Sequence, residues 1–412
     1  MYPLPRAAKG STQHLPNVPT TQGSKGGDPA LPRPTHPDSS LQSSTTSPRH
    51  SETEEIGRIL YTIAPLNGTS HLRGAMIFPV PLTVTLFLAL DSPRARAEMA
   101  PFKRPRTANA PGNLFVDESC IDCDTCRWMM PSVFSRRGVK AIVHRQPETD
   151  LEKVQAMAAS VSCPVGAIRT HSPEPLVKLA IEAFPAEIDP AHIPGIFHLG
   201  YHSPVTFGAT SYLVRRAGKG NIMIDTPRFN AKLASRIEEL GGLKYMLLTH
   251  KDNFGDHQKW KDRFPEVQRI LHRADSVAST RDCELLLEGE GVWSPESDFD
   301  ILHTPGHTAG SLCLLVRTAK DAVLFSGDHL AYSSQKKALD GFKRYNFGST
   351  EAQLMSLRML AQAEPAFTWI LPGHGRMARF ASNEARMRAV ASCADAYEQE
   401  DASIGMFGIG YF

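Results

Sequence analysis

Residues 245–257 read Tyr-Met-Leu-Leu-Thr-His-Lys-Asp-Asn-Phe-Gly-Asp-His. An apolar run that ends in imidazoles and carboxylates predicts a buried strand, Tyr245 to Thr249, which delivers His250, Asp252, Asp256 and His257 onto one loop and the start of a helix. Three later stretches repeat the arrangement. His303 to Ser311 reads H-T-P-G-H-T-A-G-S and presents His307, Leu324 to Asp328 reads L-F-S-G-D, and Leu371 to Gly375 reads L-P-G-H-G and presents His374. Taken singly, an Asp-His pair is commonly a surface pair or a helix cap, and Gly-Asp at a strand end is commonly a turn. Together, the seven positions set imidazole and carboxylate donors at loop tips above a sheet. A zinc, iron or manganese hydrolase needs such donors, with coordination positions left open for water and substrate.

Around these motifs, strand-like runs lie at Ser211 to Arg215, Asn221 to Asp225, Arg269 to His272, Asp300 to His303, Ser311 to Val316, Ala322 to Ser326 and Thr368 to Leu371. Helix-like segments at Ala231 to Leu240, Glu351 to Gln362 and Asn383 to Glu400 alternate with them, so an α/β domain with mixed sheets is expected. No internal repeat of fixed period is present. His198, His202, His272, His303 and His329 read as structural, with contact to a substrate pocket as the alternative for His329 beside Asp328. Arg344, Tyr345 and Asn346 are candidates for substrate contact, although a loop of that composition is commonly solvent-facing.

Upstream, Cys120, Cys123 and Cys126 stand in C-x-x-C-x-x-C spacing, and Cys163 follows with Pro164 directly behind it. Three thiolates two residues apart can wrap one face of an iron–sulfur cubane while the distant Cys-Pro supplies the fourth iron. A four-cysteine zinc knuckle and four buried free thiols are the alternatives. The segment V-D-E-S-C-I-D-C-D-T-C, with Pro131, Phe134 and S-C-P-V-G-A-I at Ser162 to Ile168, resembles single-cluster ferredoxins of the 4Fe-4S type. The resemblance implies a small ferredoxin-like domain whose cluster is held by Cys120, Cys123, Cys126 and Cys163. Such a cluster either relays electrons or staples a domain with little core of its own.

The downstream motifs, H-T-P-G-H-T-A-G-S, S-G-D and P-G-H-G, resemble the metallo-β-lactamase superfamily, most nearly its glyoxalase II-like branch. The superfamily's first motif reads H-x-H-x-D-H, with Glu at the second ligand position in the di-iron flavodiiron branch. Here Asp252 takes that position, and two extra residues separate it from Asp256 and His257. The resemblance implies an αββα sandwich in which His250, Asp252 and His307 hold one metal, Asp256, His257 and His374 hold a second, and Asp328 bridges. Asp256 would orient the attacking hydroxide as the catalytic carboxylate. One or two divalent metals are thus expected, zinc by family habit, with iron or manganese favoured by the extra carboxylate. The expected activity is metal-dependent hydrolysis of an ester, thioester or amide. The rivals are a redox enzyme, with one or two irons fed electrons by the ferredoxin-like module, and a non-catalytic iron–sulfur scaffold.

The expected organisation is a targeting segment at 1–104, a ferredoxin-like domain at 105–172, a linker at 173–193 containing Pro173, Pro175, Pro185 and Pro190, and the metallo-β-lactamase-fold domain at 194–400. With 412 residues and 41% hydrophobic content the chain can bury a sizeable core. A formal charge of +2 without a strongly basic or acidic block points away from nucleic acid and a charged membrane surface and says nothing of the substrate; a small-molecule substrate, with or without an electron-transfer partner, is what the resemblances imply. Seven cysteines, four clustered and three isolated, fit a reducing compartment. Residues 1–104 are rich in Pro, Ser, Thr, Gly and Arg and are expected to be disordered. Residues 1–112 hold 12 Lys+Arg against 7 Asp+Glu, a bias resembling an organelle transit peptide; an ordinary tail, or a true start at Met76 or Met99, is the alternative. The apolar run from Met76 to Leu90 is too short for stable membrane insertion. A chloroplast address is expected, with the mitochondrion as the alternative.

Overall fold

The computed structural model describes residues 104–400, so the expected targeting segment and its Met76 to Leu90 run lie outside the described residues. The strand-like runs form two facing sheets. The first orders its strands as Leu285–Leu287, Gln268–His272, Leu243–Leu247, Asn221–Ile224, Tyr212–Val214, Ile196–His198 and Ala186–Glu187. Its first four strands are parallel and its remaining pairings antiparallel. The second orders Val292–Glu296, Phe299–His303, Leu312–Arg317, Ala322–Gly327, Trp369–Pro372 and Ala378–Arg379.

Side-chain alternation builds the layers. Ile222, Ile224, Tyr245 and Leu247 face Phe299, Ile301, Leu314 and Phe325 between the sheets. The intervening residues Met223, Met246 and Leu271 point outward onto Leu233, Ile237 and Trp260 of helices Ala231–Glu239 and His257–Arg263. On the other side Leu315, Leu324 and Ile370 meet Leu357, Leu360 and Val390 of helices Thr350–Ala361 and Asn383–Gln399. Because both faces of each central strand are covered, the strands read as continuous apolar runs. The layers are therefore helix, sheet, sheet, helix, as expected. Asn230, Ser349 and Ser382 start three of these helices by accepting hydrogen bonds from first-turn amides.

The smaller module pairs Leu114–Val116 antiparallel with Ile168–Thr170 and carries a hairpin of Phe134–Arg137 and Lys140–Val143. Helix Asp150–Ser162 opens with a Thr149/Glu152 capping box. Its core runs without interruption through Phe184, Phe197, Leu199 and Tyr201 into the outer face of the first sheet. The segment expected as a linker, 173–193, packs between the modules through Ala180 and Phe184, both buried. Val177–Glu182 is helical, and Ala186–Glu187 adds an edge strand by pairing with Phe197–His198. Among the described residues no helix is long and apolar enough to cross a membrane.

Candidate metal centre and cluster site

Parallel neighbours place the residues that follow them side by side. Strands Asn221–Ile224 and Leu243–Leu247 therefore bring Asp225 next to Thr249, whose amide and hydroxyl donate to Asp225 Oδ1 (2.8 Å) and Oδ2 (3.0 Å). With its proton committed to Asp225, the Thr249 oxygen accepts from His250 Nδ1 at 3.0 Å. The Nε2 lone pair of His250 is thereby left facing Asp328 Oδ2 at 3.5 Å. His307 Nε2 and His374 Nε2 approach the same oxygen, at 4.0 and 3.6 Å. His250, His307 and Asp328 offer ligand atoms within 4.8 Å of one another. Asn253 donates to Asp328 Oδ1 (3.3 Å) and to Asp225 Oδ2 (3.1 Å), which fixes the carboxylate. Gly373 is required here, because a Cβ on it would lie 2.3 Å from Asp328 Oδ1.

The electrostatics suit a cation. Burial, followed by the neighbouring His250, lowers His307 to about 4, so its imidazole is a neutral donor. Burial would raise Asp328, but His374, His250 and His307 together hold it below the usual carboxylate range. Burial and then the charge of Asp328 push Asp225 up to about 8, against three incoming hydrogen bonds. His250 Nε2 is buried without a hydrogen-bond partner. An orphaned imidazole nitrogen aimed at a carboxylate oxygen fits a metal.

The first motif departs from its expected role. Asp256 Oδ2 accepts from the Phe229 amide and Oδ1 from Lys259 Nζ, each at 2.8 Å. His257 Nδ1 lies 3.4 Å from the Arg269 guanidinium, and burial and that positive charge lower its pKa. Neither residue lines the cavity that holds His307, Asp328 and His374. Thr226 Oγ1 donates to Phe254 O (2.6 Å), which holds the loop against that strand end, and Asp256 stands at the N-cap position of helix His257–Arg263 without a side-chain capping hydrogen bond. Of the seven expected donors, His250, His307, Asp328 and His374 come together here, while Asp256 and His257, expected to hold a second metal with His374, are turned to these other partners. Asp252, half-buried, does line the cavity.

Of the other candidates, Tyr345 lines the cavity. Asn346 instead donates to Tyr397 Oη (2.8 Å) and accepts from Gly348 N, and Arg344 stacks on Tyr345 outside the cavity lining. His329 is buried off the cavity. His272 and His303 stack on one another at 4.3 Å, as structural residues. Asp225, Thr249 and Asn253 escaped the sequence reading. Their signal was position alone, at the C-terminal ends of adjacent strands.

Cys120, Cys123, Cys126 and Cys163 are free thiols around one small cavity. Asp122 and Asp124 adopt left-handed backbone conformations (φ 61° and 63°), which curl the loop so that the thiols face one another. Main-chain amides of Asp122 and Ala167 donate to Cys120 Sγ (3.4 Å) and Cys163 Sγ (3.3 Å). Burial and then the adjacent Cys163 push Cys123 up to about 12, and burial with neighbouring thiols also raises Cys126. Four converging thiols with sulfur-directed amides fit an iron–sulfur cluster, whose iron would neutralise the massed thiolates. The cluster loop touches the larger domain closely. A Cβ on Gly208 would lie 3.1 Å from Cys123 Cβ, Thr125 Oγ1 lies 3.2 Å from His202 Nδ1, and Arg376 Nε pairs with Asp124 at 2.8 Å.

Residues 204–374 match the metallo-beta-lactamase superfamily, and residues 116–170 match the 4Fe-4S single cluster domain of ferredoxin I. The probable hydroxyacylglutathione hydrolase glo2 of Schizosaccharomyces pombe is 27% identical over 175 residues, which cover 41% of this chain. The chain spans 63% of that relative's length. Among solved structures, a metallo-beta-lactamase from Pontibacter korlensis is 15% identical with a TM-score of 0.37, over 47% of this chain and 88% of that one. A metallo beta lactamase from Hirschia baltica is 15% identical with a TM-score of 0.37, over 48% of this chain and 94% of that one. With the two matched segments falling on the two modules described above, the chain carries a metallo-beta-lactamase superfamily domain preceded by a single-cluster 4Fe-4S ferredoxin domain.

Proposed function

We propose that the chain is a metal-dependent hydrolase of an ester, thioester or amide, working at one metal position held by His250, His307, Asp328 and His374. The observation that carries this reading is the approach of three buried imidazoles to one oxygen of Asp328, two of them, His307 and His374, lining with Asp328 a cavity of about 990 Å³. A divalent cation in that position supplies Lewis acidity, polarising a carbonyl and acidifying water. The chain's own groups do the rest. Asp225 and Thr249 hold His250 in the tautomer that offers Nε2, Asn253 fixes Asp328, and Asp252 at the cavity wall accepts the proton from the attacking water. The hydroxyacylglutathione hydrolase relative supports an acyl substrate.

The test is anaerobic purification with elemental analysis and a panel of ester and thioester substrates. Wild type is expected to carry about four irons and one further divalent metal, and to hydrolyse at least one acyl substrate. His307→Ala is expected to lose that metal and the activity while keeping the cluster's visible absorption. Activity that survives His307→Ala sinks the reading.

A second reading is favoured by one observation. His250, His307 and Asp328 form a two-histidine, one-carboxylate set, a donor combination suited to ferrous iron, and Cys120 and Cys123 line the same cavity. Iron in the hydrolytic position together with oxygen consumption would favour a redox enzyme served by the cluster. The basic, hydroxyl-rich stretch at 1–104 supports a plastid address, tested by the location of a fluorescent fusion of the whole chain.

A further inference from the structure

The cavity above Asp328 is not a property of the larger domain alone. Its walls come from both modules: Ile121, Val139 and Val165 from the iron–sulfur side, and Phe207, Phe342 and Phe347 from the other. Several of these side chains are placed where folding gains little from them. Val139 sits at the tip of the hairpin between Phe134–Arg137 and Lys140–Val143 and is 47% exposed, at a position where turns ordinarily place polar residues. Phe207 is 71% exposed and held at φ 52°, a left-handed conformation that costs a bulky residue about 1 kcal/mol or more. Phe347 is 72% exposed, yet its ring stands edge-on to His307 at 5.8 Å and its amide donates to His307 O at 3.1 Å. Exposed apolar groups gathered around one opening mark a surface that a ligand covers. The apolar wall begins directly beside the candidate metal ligand, so the apolar part of the ligand lies next to its reacting group.

Resting on the reading of His250, His307, Asp328 and His374 as a catalytic metal centre, we infer that the substrate carries an apolar chain of about six to ten carbons beside its reacting carbonyl. That chain lies between the two modules. The iron–sulfur module is thus half of the substrate site, with Val139 and Ile121 as specificity-determining residues. The cavity volume of about 990 Å³ is at the upper end of what small-molecule sites need, and leaves room for such a chain.

The experiment is calorimetric titration of the full-length, cluster- and metal-loaded protein with acetate, hexanoate and decanoate. These probes share one carboxylate head and differ only in chain length. From hexanoate to decanoate Kd is expected to fall roughly 30-fold or more, since each buried methylene strengthens binding severalfold. Val139→Asp and Phe347→Asp are each expected to weaken decanoate binding at least about tenfold, with the visible absorption of the cluster reporting that the module is still folded. Equal affinity at all lengths would overturn the inference, as would a folded Val139→Asp protein that binds decanoate like wild type. Matched p-nitrophenyl esters separate this inference from the hydrolase reading. Steep chain-length dependence in binding without hydrolysis supports the apolar site and rejects the hydrolase, whereas hydrolysis with flat binding does the reverse.

Discussion

The carboxylate of Asp256 is spent on the Phe229 amide and Lys259, whereas Asp252, earlier in the same loop, faces the cavity. Substitution at the two positions should therefore separate. Asp252→Asn keeps the shape of the side chain and removes a proton acceptor, so kcat is expected to fall about 10²- to 10⁴-fold with the metal content unchanged. Asp256→Asn is expected to leave kcat within roughly threefold, because that carboxylate is engaged by the Phe229 amide and Lys259, at a cost in stability on the order of 1 kcal/mol. Parallel measurement of kcat and metal content for both variants checks this. Loss of metal in Asp252→Asn would make Asp252 a ligand and return the proton transfer to another group. The seven donor positions were visible as residue types in the sequence, but the direction of each side chain was not. The hydrogen bonds of the loop from Asp252 to Asp256 set which way each donor faces, and no periodicity records them.

At the scale of elements, the central strands were legible because burial on both faces writes each as an unbroken apolar run, and helix Ala231–Glu239 because Asn230 caps a stripe of Leu233, Ala234 and Ile237. The strand Ala186–Glu187 was not, since two residues between prolines leave no pattern and only pairing to Phe197–His198 defines it. A further element-scale device is the fully buried Arg386 on the last helix. Its Nη1 donates to Leu360 O (2.6 Å) and Ala361 O (2.9 Å), closing the C-terminal end of helix Thr350–Ala361, and its guanidinium lies 4.4 Å from the Phe367 ring centroid. Burial holds its pKa below the usual arginine value, so the site carries a desolvation cost that these carbonyls and the ring offset. Arg386→Met retains much of the packing but removes the donor to Ala361 O, while Leu360 O keeps the Ala363 amide at 3.4 Å. The expected loss is about 2 kcal/mol, or roughly 4–8 °C in Tm. A drop in Tm of less than about 2 °C would show that water satisfies that carbonyl instead.

Over the whole molecule, the iron–sulfur module and the larger domain share one apolar core and one cavity. Their sequences announced two families separately, yet the contact between them was illegible, because its residues are ordinary outside the fold. Arg376 shows why. It follows the His374 motif as an unremarkable surface-type residue, and in the structure it grips Asp124, between Cys123 and Cys126, with Nε at 2.8 Å and Nη2 at 3.3 Å. The Asp124 side chain is 2% exposed and also pairs with Arg127. Two cations on one buried carboxylate mean that removing Arg376 leaves the charge partly compensated, so the cost falls below the 3–5 kcal/mol typical of a fully orphaned partner. A loss of about 2 kcal/mol corresponds to a roughly 30-fold shift in the equilibrium for opening the cluster loop. Arg376→Gln is accordingly expected to bleach its visible absorption in air roughly 10- to 30-fold faster than wild type, and Arg376→Lys, which keeps the charge but not the two-pronged geometry, to fall between them. Identical bleaching rates in all three proteins would mean that the cluster loop is held by its own module alone, and that the ion pair follows domain contact without securing it.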